Sequence, residues 1–148
     1  MQDSISLPCF KSADFWEPKA PRPEKRIETL DCAFANGFKT LVALRPLLPT
    51  VNDSELAHII SSTKNISHGY YSGPLYLKNI DEALIPKETI EKLSVEKLQP
   101  HWMPPGNDFY KIKKPGQMEY LSSIIEQSGK KLFEGAAEAI QFLKHEKY

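Results

Sequence analysis

The chain has 148 residues, the length of one average domain, and its 41% hydrophobic and 26% charged residues are typical of a globular protein. Lys plus Arg and Asp plus Glu each number 19, so the net charge is zero and nucleic-acid binding through bulk positive charge is not expected. The apolar runs are short and the N-terminus lacks basic and apolar signal-peptide regions, so we expect neither a transmembrane helix nor a signal peptide.

The cysteine and proline content limits the possible classes of protein further. The only cysteines are Cys9 and Cys32, too few for a disulfide scaffold or a self-sufficient Cys-rich metal site. We therefore expect a cytoplasmic protein with reduced thiols. Proline is enriched, with 12 residues or about 8% of the chain against a usual level near 5%.

Three segments of the first half are predicted to be strands. Residues 4–9 alternate between apolar and polar, residues 39–45 form a nearly unbroken apolar run, and residues 68–77 are aromatic with an interruption at Gly73-Pro74. An unbroken apolar strand is typical of a sheet that is covered on both faces. The segments between the strands are long enough for helical crossovers and parallel pairing, which is the pattern of an α/β fold.

Two helices are predicted between these strands. Pro23 occupies a favoured first helical position, and Asn36-Gly37 supplies a stop signal. Asn52, with Glu55 three residues later, has the spacing of a helix N-cap arrangement. The apolar residues at helical spacing, which should form the buried stripes, are Ile27, Leu30 and Phe34 in the first helix and Leu56, Ile59 and Ile60 in the second.

The second half has a different pattern and predicts a helical extension. Pro86 is expected to open a charged helix with Ile90, Leu93 and Leu98 on its inner side. Residues 99–115 are interpreted as a long proline-rich connection, in which Trp102 and Met103 would pack on the core. Two further helices are predicted at about residues 117–128 and 134–144, separated by Gly129 and a short apolar stretch at 131–133.

Ligands of parallel α/β proteins bind at the carboxyl ends of the strands, which selects three polar, proline-containing loops at residues 10–22, 45–52 and 70–74. Prolines that simply end strands would explain these loops equally well. Glu17 is either a ligand-binding carboxylate or an exposed loop acid, and Arg45 is either a ligand contact or part of a structural salt bridge. His58 and His68 lack metal-ligand spacing, and residues 111–114 (KIKK) are interpreted as a solvated loop with phosphate contact as the alternative.

The order of these features resembles the second half of a radical SAM domain, in particular the spore photoproduct lyase-like, DNA-repair-photolyase-related branch. In that branch a strand precedes a Glu-Pro-x-Ala-Pro loop and an Arg-bearing helix, and the next strand ends in a Pro-x-x-Pro segment. Residues 16–26 (WEPKAPRPEKR) match the first pattern, and Pro46 and Pro49, followed by Asn52 and Asp53, match the second. The resemblance covers residues 4–77.

The resemblance implies a fold, a site and a missing part. Residues 1–77 would be a partial parallel (βα) barrel of about three strands with crossover helices, and residues 78–148 a helical C-terminal extension packed on it. It implies a lyase-like chemistry in which S-adenosylmethionine (SAM) is cleaved reductively to a radical that abstracts a hydrogen from the substrate. Around SAM it would place Ser6, Cys9 and Glu17 near the ribose and amino-acid portion, and Arg45, Pro46 and Leu48 on the adenine side.

The chain departs from the family in its cysteines. Radical SAM enzymes hold a 4Fe–4S cluster with a Cys-x-x-x-Cys-x-x-Cys motif, and two cysteines cannot supply three thiolates. We therefore expect a truncated or split radical SAM protein that binds no cluster alone, exposes an apolar sheet edge, and requires the missing N-terminal half or associates with itself. The alternatives are a non-catalytic α/β module that docks a partner through the open edge, and a small enzyme using Glu17 or Arg45 on a phosphate- or carboxylate-bearing metabolite.

Overall fold

Two separate β-sheets, one parallel and one antiparallel, organise the fold in the computed structural model, which describes residues 2–78, 85–99, 101, 104, 106 and 108–145. The strands are β1 Gln2–Ser6, β2 Lys39–Leu44, β3 Gly69–Ser72, β4 Leu75–Leu77, β5 Ser94–Leu98, β6 Phe109–Lys113 and β7 Leu132–Phe133. The helices are α1 Ala13–Trp16, α2 Pro23–Ala35, α3 Asp53–Thr63, α4 Lys87–Ile90, α5 Gln117–Gln127 and α6 Ala136–His145.

The larger sheet is parallel throughout and has the order β1-β2-β3-β7. Its first three strands are connected through α2 and α3, which confirms the predicted strand–helix–strand–helix–strand order and the α/β class. The third predicted strand, residues 68–77, is divided into β3 and β4, which belong to different sheets. The fourth strand, β7, was not predicted as a strand. It has only two residues, Leu132 and Phe133, too few for a sequence period to reveal.

Both faces of this sheet are covered at β2. Val42 and Leu44 pack in the main core with the helices α2, α3 and α5, whereas Leu41 belongs to a second cluster on the other face. That second cluster is completed by Phe133 of β7 and by Ala139 and Leu143 of α6. The two-sided coverage accounts for the unbroken apolar run that predicted β2.

The helix signals read from the sequence correspond to the observed helix ends. Pro23 begins α2, and Gly37 follows the helix with a φ of 84°, a left-handed conformation that glycine adopts without a steric penalty. The Asn52 side chain accepts a hydrogen bond from the backbone amide of Glu55 at 2.9 Å and so caps α3. The predicted buried stripe of α3 is confirmed for Leu56, Ile59 and Ile60.

The prediction for the segment after Pro86 is wrong beyond Ile90. The helix there, α4, has four residues, and Ser94–Leu98 form the edge strand β5 instead of a continued helix. Residues 94–98 pair with β6 and alternate along the chain between the two faces of the antiparallel sheet. The helical spacing of Ile90, Leu93 and Leu98 was coincidental.

The interpretation of residues 99–115 as a connection throughout, and of KIKK as a loop, is also wrong. Phe109–Lys113 form β6, the central strand of the antiparallel sheet, between β4 and β5. Ile112 is buried there opposite Leu75 of β4, while Lys113 is exposed. Trp102 and Met103 lie outside the described residues.

The two helices predicted at about residues 117–128 and 134–144 are confirmed as α5 and α6, but the same part of the chain also carries β5, β6 and β7. Of these strands, β6 pairs with β4, β5 pairs with β6, and β7 pairs with β3. The division at residue 77 stays a prediction. Within the described ranges, no helix has the length and apolar character needed to cross a membrane.

Candidate functional site

The carboxyl ends of β1, β2 and β3 lie on one edge of the parallel sheet, where α/β proteins bind ligands. Two contacts hold the ends of β2 and β3 together. The Ser72 hydroxyl donates to the Leu44 carbonyl at 2.8 Å, and the Leu47 amide donates to the Gly73 carbonyl at 2.8 Å. The loops that leave these strands therefore start from fixed positions.

Arg26 of α2 organises the end of β1. Its Nη1 donates to the carbonyl oxygen of Ser6 at 2.8 Å, and its Nη2 forms an ion pair with Glu17 Oε2 at 2.9 Å. The two side chains are 12% and 23% exposed, so water screens this pair only in part. The Nε of Arg26 is buried and has no hydrogen-bond partner among the described residues.

Cys9 lies against the same ion pair, with its Sγ donating to Glu17 Oε2 at 3.4 Å. Burial is the main cause that raises the pKa of the thiol to about 12, and the hydrogen bond to Glu17 and the negative charges of Glu17 and Glu55 act in the same direction. At neutral pH the thiol is protonated. Cys9 is therefore a packing and hydrogen-bonding group, and not an activated nucleophile.

Glu55 is a functional candidate that the sequence analysis assigned only to a helix cap. Its carboxylate, 5% exposed, reaches from α3 to the loop after β1, where Oε1 accepts from the Phe10 amide at 2.8 Å, the Ser12 amide at 2.9 Å and the Ser12 hydroxyl at 3.0 Å. A buried carboxylate that accepts several such bonds fixes the backbone that donates them. The signal available in the sequence was a carboxylate in the first turn of a helix that follows a buried strand.

Arg45 follows β2 and its side chain occupies the space above two glycines. A Cβ on Gly73 would lie 3.1 Å from Arg45 Nε, and one on Gly135 would lie 3.6 Å from Arg45 Nη1. Arg45 is exposed and forms no ion pair with a described carboxylate, so the structural salt bridge considered from the sequence is not present there. Its guanidinium lies against Gly73 and is a cation available to an anionic group.

Pro46 and Leu48 continue the chain from Arg45. The Arg45–Pro46 peptide bond is cis and Pro46 is half-buried. Leu48 is 5% exposed and packs in the main core, while its carbonyl accepts a hydrogen bond from Gln117 Nε2 at 2.8 Å. The Gln117 side chain also reaches the Val51 carbonyl at 3.1 Å, and thereby fastens α5 to this loop.

The structure thus brings three of the six site residues, Ser6, Cys9 and Glu17, together around Arg26. Arg45, Pro46 and Leu48 lie at the end of the neighbouring strand. Ser6, Glu17, Arg45 and Pro46 present surface to a ligand, whereas the side chains of Cys9 and Leu48 are buried. Their assignment to SAM binding stays a prediction.

The histidines occupy separate structural positions. The His58 ring packs edge-to-face on Phe10, with 4.4 Å between ring centroids, and His68 Nδ1 accepts from the Thr40 amide at 2.9 Å at the opposite end of the sheet. In the part of the chain that the structure describes, no group of three or more His, Cys, Asp or Glu residues could hold a metal ion.

Comparisons with known proteins give one relative by sequence. The chain is 39% identical over 62 residues to an uncharacterized protein of Methanocaldococcus jannaschii, a stretch that makes up 42% of this chain and 23% of that protein. The chain therefore spans about a quarter of the length of the curated relative it matches. No protein-family model matches the chain. No solved structure matches it either.

Proposed function

We propose that this chain is the carboxyl-terminal, SAM-binding part of a radical SAM-type barrel, with a lyase-like activity that requires a cluster-bearing part supplied outside these 148 residues. On this proposal the parallel strands β1 to β3 belong to a partial (βα) barrel. The protein would act in the cytoplasm, where thiols such as Cys9 and Cys32 remain reduced.

The observation that carries the proposal is the unfinished parallel sheet. Strand β1 lies at the end of the order β1-β2-β3-β7 and, within the ranges that the structure describes, pairs on one side only, with β2. A parallel strand that begins a sheet in this way leaves a row of backbone donors and acceptors for a further strand. The sequence match supports the same interpretation, because the 62 matched residues make up 23% of the relative.

The exposed edge differs in character from the one expected from the sequence. The exposed side chains of β1 include Gln2, Ser4 and Ser6, which are polar, while Ile5 points into the main core. The expected apolar edge is thus wrong for these residues. A polar edge strand favours a specific backbone pairing over nonspecific hydrophobic association.

The residues of this chain do not fit a 4Fe–4S cluster. Such clusters are held by cysteine thiolates. Cys9 is a buried thiol whose pKa is raised to about 12, and Cys32 is exposed on α2. With two cysteines in the chain, the cluster ligands must come from elsewhere.

The polar groups at the sheet edge do fit SAM, which carries a carboxylate, an amino group and ribose hydroxyls. Glu17 would accept hydrogen bonds from the ribose hydroxyls or the amino group, and the planar guanidinium of Arg45 would stack on the adenine ring. Arg26 would act as a positioning residue, because it holds both Glu17 and the Ser6 carbonyl. When bound with a cluster, SAM supplies the radical chemistry, and these residues orient it.

A second candidate function is favoured by the position of α6. This helix packs on the sheet face opposite to α2, α3 and α5, and so covers the face that a barrel would enclose. Sheets covered on both faces by helices are typical of open α/β proteins. The alternative is a non-catalytic module that docks a partner strand on β1.

The test is to find the cluster-bearing part and combine it with this chain. The DNA immediately upstream of the Met1 codon should encode a reading frame with the Cys-x-x-x-Cys-x-x-Cys triplet, and co-expression should give a complex that binds a 4Fe–4S cluster after anaerobic reconstitution. SAM affinity, measured by calorimetry, should fall at least tenfold in Arg45→Gln and remain unchanged in Arg22→Gln. A complex without cluster or SAM binding would favour the docking module.

A further inference from the structure

A cleft that neither Arg26 nor Arg45 lines lies where three loops meet. It has a volume of about 390 Å³ and is formed by the β2–α3 loop, the end of α4 and the β6–α5 turn. Thr89, Lys92 and Lys114 contribute polar side chains, and Pro49, Thr50 and Pro115 form part of the walls. A volume of this size accommodates a small organic ligand.

The charge of this cleft is positive. Lys92 and Lys114 both line it, and none of the described residues that line it is acidic. Neither ammonium group forms an ion pair with a carboxylate in the described ranges. Two unpaired like charges on one concave surface repel each other and raise the local potential, so an anion bound between them would relieve that repulsion.

Two threonines line the same cleft. Thr50 forms part of its wall, but the Thr50 Oγ1 is buried and does not reach the cleft surface. Thr89, near the end of α4, carries a hydroxyl group that can donate a hydrogen bond to an anion.

A neighbouring cleft extends the positive region. It has a volume of about 400 Å³ and is lined by Lys113, by Lys114 again, and by the first turn of α5, which includes Glu119. The helix begins after Gly116, whose φ of 82° turns the chain from β6 into α5. The amides of a helix start carry partial positive charge, which adds to that of the lysines.

We infer that the cleft between Lys92 and Lys114 binds the phosphate group of a small phosphate monoester. A phosphate dianion matches two ammonium groups in charge, and its several oxygens can accept from the Thr89 hydroxyl as well. A carboxylate has one charge and two oxygens, and would use this donor set only in part. The inference does not rest on SAM binding or on a missing part of the barrel.

The inference is tested by two-dimensional ¹H–¹⁵N NMR on the 148-residue chain, titrated with inorganic phosphate, sodium acetate or sodium chloride at equal ionic strength. Phosphate should give saturable shifts at the amides of Thr50, Thr89, Lys92 and Lys114, in the low millimolar range. Shifts that are equal with chloride would show ionic-strength effects alone and overturn the inference. Acetate binding as tight as phosphate would overturn the phosphate assignment.

Two variants with the same loss of charge test whether Lys92 and Lys114 are responsible for phosphate binding. Lys92→Gln combined with Lys114→Gln should weaken phosphate binding at least tenfold, whereas Lys19→Gln combined with Lys64→Gln, two exposed positions outside the cleft, should leave it within twofold. Equal affinities in the two variants would refute the site. Preserved dispersion of the NMR signals shows that a variant is folded. If the double variant is unfolded, the single variants Lys92→Gln and Lys114→Gln are measured instead, and each should weaken phosphate binding at least threefold.

Discussion

Arg26 and Glu17 form an ion pair of 2.9 Å that joins helix α2 to the loop after β1. Arg26 also donates to the Ser6 carbonyl, so one guanidinium holds both the end of a strand and an acid nine residues away in the sequence. The pair thus makes the polar groups at the end of β1 a rigid unit. Loss of this ion pair should therefore lower the stability of the fold first, and change ligand binding only as a consequence.

We expect Arg26→Gln to lower the free energy of unfolding by about 2–3 kcal/mol, because Glu17 and the Ser6 carbonyl lose a charged donor in a partly buried place. Urea unfolding followed by circular dichroism measures this change. Arg22→Gln is the matched control, since its side chain is 68% exposed and its ion pairs with Asp14 and Glu24 are at the surface. That control should change stability by no more than about 0.5 kcal/mol, and equal losses in the two variants would contradict the structural role of Arg26.

Glu55→Gln should loosen the loop after β1. The amides of Phe10 and Ser12 both donate to Glu55 Oε1, and a neutral amide group is a weaker acceptor than a carboxylate. We expect a stability loss of about 2 kcal/mol and faster hydrogen exchange at these two amides. Glu28→Gln, on the exposed side of α2, should leave their exchange unchanged, and unchanged exchange in Glu55→Gln itself would show that the carboxylate does not hold the loop.

The buried thiol of Cys9 makes stability depend on alkaline pH. Because burial and Glu17 raise the pKa of Cys9 from 9.0 to about 12 in the folded protein, its contribution to stability is complete below pH 9 and is lost as the pH rises toward 12. The slope for one proton is roughly 1.4 kcal/mol per pH unit. Tyr70, whose pKa burial raises from 10.0 to about 12, acts in the same direction.

The variant Cys9→Ala separates these two contributions. The difference in unfolding free energy between the natural chain and Cys9→Ala, measured in urea at pH 8, 10 and 11, should shrink steadily above pH 9. Cys32 is exposed on α2, so Cys32→Ala should leave the pH dependence unaltered. A constant difference for Cys9→Ala over this range would mean that the thiol ionises as readily in the folded chain as in the unfolded one.

The first half of the fold was predictable because its signals are local and strong. The run at β2, the proline that begins α2 and the Asn52 cap of α3 each specify an element with a few neighbouring residues. Parallel pairing then followed from the length of the crossovers. Among the site residues, the same reasoning located the strand end next to Arg45, whereas the strand predicted over residues 4–9 ends earlier, at Ser6.

The second half was misread because its strands are short and depend on distant partners. Five residues at β5 gain their strand conformation from pairing with β6, and two residues at β7 gain theirs from β3. The role of Glu55 was missed for a related reason, since the amides that it binds are more than 40 residues earlier in the chain. Contacts of that range leave no periodic trace in the sequence.

Arg45 should be sensitive to one of its two glycine neighbours and insensitive to the other. A Cβ on Gly73 would lie 3.1 Å from Arg45 Nε, closer than an ordinary contact, whereas a Cβ on Gly135 would lie 3.6 Å from Nη1, at an ordinary distance. We therefore expect Gly73→Ala to displace the guanidinium and shift the ¹H–¹⁵N resonance of Arg45 Nε, which the Arg45→Lys spectrum identifies by its absence. Gly135→Ala should leave this resonance in place and change stability by less than about 1 kcal/mol, since alanine also restricts the unfolded chain. A shift of the Arg45 resonance in both variants, or in neither of them, would show that the side chain is not held against Gly73. It would then contradict the position of the Arg45 cation at the sheet edge.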